Sequence, residues 1–136
     1  YRTDIEITKT LVKNIELDAD KDLITQLMLN LFSNAFKYNY SGGNVSFDAS
    51  CTATHLVFTI TNTTHLSAAG LDERVFERFY RHLGSNNRET IAQQGSGLGL
   101  SLCREIARAH GGDLELLRVV NQKVTFSCRL SLKGNQ

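Results

Sequence analysis

The chain has 136 residues, with 15 Lys and Arg against 14 Asp and Glu, 41% apolar residues, ten Gly and neither Pro nor Trp. One globular domain of ordinary size fits these numbers, and they exclude a collagen, a disulfide scaffold and a disordered tail. A net charge of +1 with 21% charged residues argues against a broad electrostatic grip on nucleic acid or membrane. No window approaches the apolar length of a membrane span, and Tyr1-Arg2-Thr3-Asp4 does not open a signal peptide. Cys51, Cys103 and Cys128 form no CxxC pair and lie inside apolar patterns, which predicts buried, reduced thiols in a cytosolic compartment.

Partial alternation at Ile5 and Ile7 and again over Leu11, Val12, Ile15 and Leu17 predicts a pair of strands. Asp20 or Asp22 is then a candidate N-cap for the longest helix, which keeps helical period to Tyr38 without Gly or Pro. Leu27, Met28, Leu31, Ala35 and Tyr38 share its apolar face, and Gln26, Asn30, Ser33, Asn34 and Lys37 form a polar stripe beside it. Leu29, Phe32 and Phe36 fall on a separate flank, which needs either a second packed helix or a docking partner. Ser41-Gly42-Gly43-Asn44 is a turn, followed by alternating strands over Val45 to Ala49 and Leu56 to Ile60. Leu71 to Arg81 can form a short amphipathic helix whose Phe76 and Phe79 either join the core or contact a partner. The polar run from Gly84 to Gln94 predicts a mobile loop. Leu98, Leu102, Cys103, Ile106 and Ala109 mark a second long helix, stopped by Gly111-Gly112, and two strands around Leu114 to Leu116 and Val124 to Leu130 close the chain as a hairpin. This order predicts an α+β two-layer sandwich, one mixed, mostly antiparallel sheet covered on one face by about three helices.

Three segments carry polar chemistry. Gly95-Ser96-Gly97-Leu98-Gly99-Leu100 lies at a loop-to-helix junction, where free amides and the helix dipole favour a phosphate; a flexible helix entry fits the same residues. Asn30 and Asn34, one turn apart, are mediocre helix formers whose amide oxygens can ligate a hard cation, with Lys37 placed to meet phosphate; a solvated face with an Asn–Asn hydrogen bond fits as well. Asn62, at a strand end, can read an adenine edge or simply form a turn.

Taken in order, these segments resemble the boxes of the histidine-kinase ATP-binding domain. Asn30-Leu31-Phe32-Ser33-Asn34-Ala35-Phe36-Lys37-Tyr38 resembles its N box, Val75-Phe76-Glu77-Arg78-Phe79-Tyr80-Arg81 its F box, and Gly95 to Leu100 its G2 box; Ala109-His110-Gly111-Gly112 before a strand matches its ending. The resemblance covers essentially the whole chain. It implies a Bergerat-type sandwich, shared with gyrase, heat-shock chaperones and MutL proteins, as a single catalytic and ATP-binding domain over 1–136 that lacks the dimerisation and phosphoacceptor-histidine domain. It also implies roles: Asn34 on Mg²⁺ with Asn30 beside it, Lys37 toward the phosphates, Tyr38 lining the nucleotide pocket, and Gly95, Gly97 and Gly99 with Leu98 and Leu100 around the triphosphate. Residues from about 63 to 96 would form the mobile ATP lid.

The family's G1 box usually reads Asp-x-Gly-x-Gly, with the Asp accepting from the adenine amino group. Here Asn62-Thr63-Thr64 stands in that place. An Asn oxygen still accepts such a bond, but a β-branched Thr64 resists the positive φ that a glycine allows, which predicts strain and weakened adenine recognition. Asn30 stands where relatives that hydrolyse ATP generally carry a Glu base, so the resemblance implies transfer to an already nucleophilic histidine. That acceptor is expected on another segment, because His55, His65, His82 and His110 lie at element ends or in the lid. The implied function is the ATP-binding catalytic domain of a two-component sensor histidine kinase, taking ATP and Mg²⁺ and signalling to a cognate response regulator. The isolated domain is expected to be monomeric and cytoplasmic, within a membrane-anchored homodimeric parent that does not bind nucleic acid. The rival readings are a degenerate, pseudokinase-like interaction module with weak or no nucleotide binding, and an ATP-driven dimer clamp, which Asn30 disfavours.

Overall fold

The computed structural model describes residues 6–10, 17–66, 68, 71–77 and 99–133. Helix α1 spans Lys21–Lys37. Asp20 is its N-cap: the carboxylate accepts the amides of Asp22 at 2.9 Å and Leu23 at 3.2 Å, satisfying two of the donors a helix start leaves unpaired. Leu27, Leu31 and Ala35, spaced by one turn, are buried.

The sheet has five strands, β1 (Glu6–Thr10), β2 (Asn44–Cys51), β3 (His55–Thr63), β4 (Asp113–Val120) and β5 (Lys123–Ser131), in the order β1-β2-β3-β5-β4. β1 runs parallel to β2 and every other pair is antiparallel, so the sheet is mixed and mostly antiparallel. Val45 and Phe47 of β2, Phe58 and Ile60 of β3, Leu114 of β4, and Val124, Phe126, Cys128 and Leu130 of β5 alternate into the core with α1. Phe32 stacks beside Phe47 with ring centroids 5.5 Å apart, and Phe47 beside Phe58 at 5.4 Å. Residues between the core positions are mostly polar, among them Ser46, Thr59, Thr61, Thr125 and Ser127, and Thr61 and Thr125 share a cross-strand hydrogen bond of 2.9 Å.

Helix α2 spans Gly99–Ala109 and ends in a Schellman motif. The amide of Gly112 donates to Ala107 at 3.0 Å, that of Gly111 to Arg108 at 3.2 Å, and Gly111 takes φ +76°. A Cβ on Gly112 would lie 1.7 Å from the Arg129 carbonyl oxygen, so only glycine lets the helix end lie against β5. His110 ties the two helices together. Its Nδ1–H donates to the Ile106 carbonyl at 2.8 Å and its Nε2 accepts the Asp20 amide at 3.1 Å, so the end of α2 holds the start of α1.

Several expectations need correction. The described residues hold two α-helices and one 3-10 turn, Glu73–Phe76, rather than about three helices. Of the helix expected over Leu71 to Arg81, Glu73–Phe76 forms the 3-10 turn and Glu77 has extended backbone (φ −73°, ψ 142°), so no continuous helix runs through it; residues 78–81, Phe79 among them, lie outside the described residues. Phe76 is core: it is buried, meets Phe126 edge-to-face at 5.9 Å, and carries the Arg104 guanidinium 4.2 Å from its ring centroid. On the flank of α1, Phe32 and Phe36 pack against the core, and only Leu29 is left outside at 65% exposure. Of the opening strand pair, Glu6–Thr10 is a strand and Leu17 makes one isolated bridge to Leu132, with 11–16 outside the described residues. Cys103 and Cys128 are buried but Cys51, at the end of β2, is exposed.

Candidate functional site

The polar stripe of α1 lies where the helix turns from the core. Asn30, Asn34, Lys37 and Tyr38 are all half-buried. The Cys103 thiol of α2 donates to the Leu27 carbonyl of α1 at 3.7 Å, with the Asn30 side chain beside it, which places the Asn30 to Tyr38 motif near the helix that follows the Gly-rich motif. Burial pushes the thiols of Cys103 and Cys128 up to about 12, which keeps both protonated and chemically inert. The Asn34 amide makes no side-chain hydrogen bond among the described residues. Lys37 Nζ stands 5.3 Å from the centroid of the Tyr38 ring.

At the end of β3, Asn62 continues the inward row of Phe58 and Ile60, so an amide is buried at 4% exposure where an apolar residue would be usual. Its Nδ2 donates to the Thr63 carbonyl at 2.9 Å. A carbonyl can only accept, so the amide orientation is settled by chemistry, and Oδ1 is left with no hydrogen bond among the described residues. A buried acceptor without a donor is costly and points to a ligand that supplies one.

The segment after Asn62 is stitched to the end of α1. Thr63 Oγ1 donates to Asn39 Oδ1 and accepts the Asn44 amide at 2.8 Å. Asn39 is fully buried; its Nδ2 donates to Ala35 at 3.2 Å and Asn44 at 3.1 Å, and its Oδ1 also accepts the Tyr40 amide at 2.9 Å. A Cβ on Gly43 would come within 2.1 Å of Asn39 Oδ1 and 2.3 Å of Thr63 Oγ1, so the turn glycine makes room for this hub. The Tyr38 carbonyl accepts the Thr64 hydroxyl at 2.9 Å and the His65 amide at 3.3 Å. The strain expected at Thr64 is not there. Among the described non-glycine residues only Asn121 and Gln122 have positive φ, so Thr64 sits in ordinary backbone and uses its hydroxyl as a staple.

Of the sequence candidates, these bonds bring Tyr38 to the Asn62–Thr64 segment at the end of α1. Gly99 opens α2, and a Cβ there would meet nothing within 4 Å among the described residues; Leu100 packs on the core. Gly95, Gly97 and Leu98 lie outside the described residues, as do 67, 69–70 and 78–96 of the lid expected over about 63 to 96. Both ring nitrogens of His110 are engaged, and His55 is held between Thr54 at 2.8 Å and the Gly111 carbonyl at 2.9 Å; His82 lies outside the described residues. Asn39 and Thr63 escaped the sequence reading. The available signal was spacing, since Asn39 extends the buried row Leu27, Leu31, Ala35 by one more turn.

Comparison with known proteins agrees with this arrangement. Residues 19–134 match the family described as histidine kinase-, DNA gyrase B- and HSP90-like ATPases. The chain is 32% identical over 126 residues to the sensor histidine kinase WalK of Bacillus subtilis, covering 91% of this chain and 20% of WalK. The mycobacterial sensor histidine kinase MprB superposes with a TM-score of 0.81 at 26% identity, over 96% of this chain and 86% of that one. Full-length ShkA in complex with AMPPNP shares the fold, with a TM-score of 0.70 at 24% identity over 94% of this chain and 26% of ShkA. The chain thus spans about a fifth of the length of a curated relative such as WalK. With its sandwich, its polar helix stripe and its buried strand-end amide, it belongs to the histidine kinase-, gyrase B- and HSP90-like ATPase family, as a catalytic domain of the sensor histidine kinase type.

Proposed function

We propose that this chain binds Mg²⁺·ATP and presents its γ-phosphoryl group to a histidine on a separate dimerisation domain of a longer sensor protein. The observation that carries the reading is Asn62 Oδ1, a buried acceptor with no donor among the described residues, at a strand end stitched to the polar end of α1. An adenine amino group supplies the missing donor. Lys37 and the start of α2 at Gly99 suit the anionic phosphates. Asn34 offers a neutral amide oxygen to Mg²⁺, which takes few protein ligands and fills its sphere with phosphate oxygens and water; Asn30 lies one turn before it on the same stripe. Gly95, Gly97 and Leu98 belong to this proposal by their place before Gly99 and Leu100 in the sequence. The AMPPNP complex of ShkA, a protein of the same fold, supports the same reading.

ATP would supply the phosphoryl group, and this domain would orient it and neutralise its charge. Asn30 offers no base to activate water, which favours a nucleophile that needs none, such as a neutral imidazole. The acceptor histidine, the cognate response regulator, the homodimeric and membrane-anchored character of the parent, and a cytoplasmic location for this domain are parts of the same proposal. Among the described residues no helix is long and apolar enough to cross a membrane.

Calorimetric titration of ATP with and without Mg²⁺, on the parent and on Asn34→Ala, tests the reading. Binding should need Mg²⁺, and the substitution should weaken it about tenfold or more, at least as much as the loss of an outer-sphere partner at a metal site. Equal affinity of the two proteins refutes the role of Asn34, and no binding by the parent leaves the domain an interaction module.

A further inference from the structure

We infer that Thr64 is a positioning residue for adenine selectivity, acting through the 63–64 peptide to fix which end of the Asn62 amide meets the base. The inference rests on the nucleotide reading above. Asn62 can present either an acceptor or a donor, and only its bond to the Thr63 carbonyl decides between them. That carbonyl is therefore the element that sets selectivity, and its direction is the direction of the peptide plane it belongs to.

Thr64 clamps that plane from two sides. Its amide, in the same plane as the Thr63 carbonyl, donates to the Gln122 carbonyl at 2.9 Å. Its hydroxyl donates to the Tyr38 carbonyl at 2.9 Å and accepts the Leu66 amide at 3.1 Å, and the side chain is 1% exposed. Gln122 offers its carbonyl there because the β4–β5 hairpin closes on Asn121 and Gln122 at φ 51° and 60°, the left-handed pair of a type I′ turn. The clamp therefore joins the end of α1, the end of β3 and the tip of the hairpin. A glycine at 64 would keep the bond to Gln122 and lose both hydroxyl bonds, leaving the peptide free to rock. With the plane held, Asn62 Oδ1 accepts from the amino group of adenine and opposes the carbonyl oxygen of guanine. With the plane loose, the amide can turn and donate to guanine instead.

The test compares ATP and GTP affinity of the 136-residue chain and of Thr64→Val and Thr64→Ser, with melting temperatures and amide exchange at Leu66. Thr64→Val keeps the shape without the hydroxyl. It should bind ATP about two- to tenfold more weakly, the value of one hydrogen bond, lose less or none of its GTP affinity, and exchange the Leu66 amide faster. Thr64→Ser should return the ATP-to-GTP ratio to within about twofold of the parent, below the value of one hydrogen bond. A general loss of stability would lower both affinities together and leave their ratio alone. An unchanged ratio in Thr64→Val, or equal changes in the Val and Ser variants, overturns the inference. If the parent binds neither nucleotide, the ATP reading itself fails; in that case Leu66 exchange still reports whether the clamp exists.

Discussion

Replacing Asn39 by Ala should destabilise the domain far more than a polar-to-Ala change at a loop position normally does. Asn39 is fully buried and makes four hydrogen bonds, two from Nδ2 to the carbonyls of Ala35 and Asn44 and two at Oδ1 from the Tyr40 amide and the Thr63 hydroxyl. Truncation does not orphan all four partners. Thr63 Oγ1 already lies 3.3 Å from the Asn44 carbonyl and can turn to it, which satisfies both groups. The Tyr40 amide has no such alternative and the Ala35 carbonyl loses a donor, so two groups are left short. At about 1–3 kcal/mol for each unsatisfied buried group, the cost is about 2–6 kcal/mol, with the lower end reached if a water enters the vacated volume. That is a large fraction of the 5–15 kcal/mol expected for a whole domain. Urea denaturation of parent and variant, with a common m-value, measures it. A loss below about 1 kcal/mol, the value of a single replaceable hydrogen bond, would refute the reasoning. Because Asn39 holds Thr63, nucleotide affinity should fall with stability.

Two further outcomes follow from the geometry. Gly112→Ala sets a Cβ 1.7 Å from the Arg129 carbonyl oxygen, so it should cost about 3 kcal/mol or more, against about 1–2 kcal/mol for Gly111→Ala, where the positive φ of 76° resists; thermal melts that reverse this order would contradict the packing described. Although partial burial opposes it, hydrogen bonds from Arg108, the Leu114 amide and Arg104 hold the Asp113 carboxyl below its usual range. A lowered folded-state value means that the stabilisation is fully present above the unfolded-state pKa of about 4 and is lost as pH falls through the folded value. The difference in urea midpoint between the parent and Asp113→Asn should therefore shrink as the pH falls from neutral through the acid range; a constant difference would show that Asp113 does not titrate in this way.

Local chemistry made much of this protein legible without a fold. Helical period with an Asp cap locates α1, strict alternation locates β5, and the glycine pair after Ala109 locates the stop of α2, because each signal acts within a few residues of the element it marks. Asn62 was legible by its distance before the Val75-Phe76 segment. The short helix was not, because Glu77 leaves helical backbone where Phe76 is drawn into contact with Phe126, a residue fifty positions away.

The site divides along the same line. The amino-acid order alone determines which chemistry is present: two amides and a lysine on one helix stripe, an amide at a strand end, glycines at a helix start. What those groups can do depends on bonds between residues far apart in the chain. Thr64 reads as strain when only the β-branched side chain is considered, and becomes a staple once the carbonyls of Tyr38 and Gln122 arrive beside it. Asn39 escapes a local reading until Thr63 and Asn44 close around it. Hydrogen bonds need partners within about 3 Å in a set direction, and a sequence prints neither distance nor direction, so the conversion of a polar residue from a cost into a working part is decided by the tertiary fold.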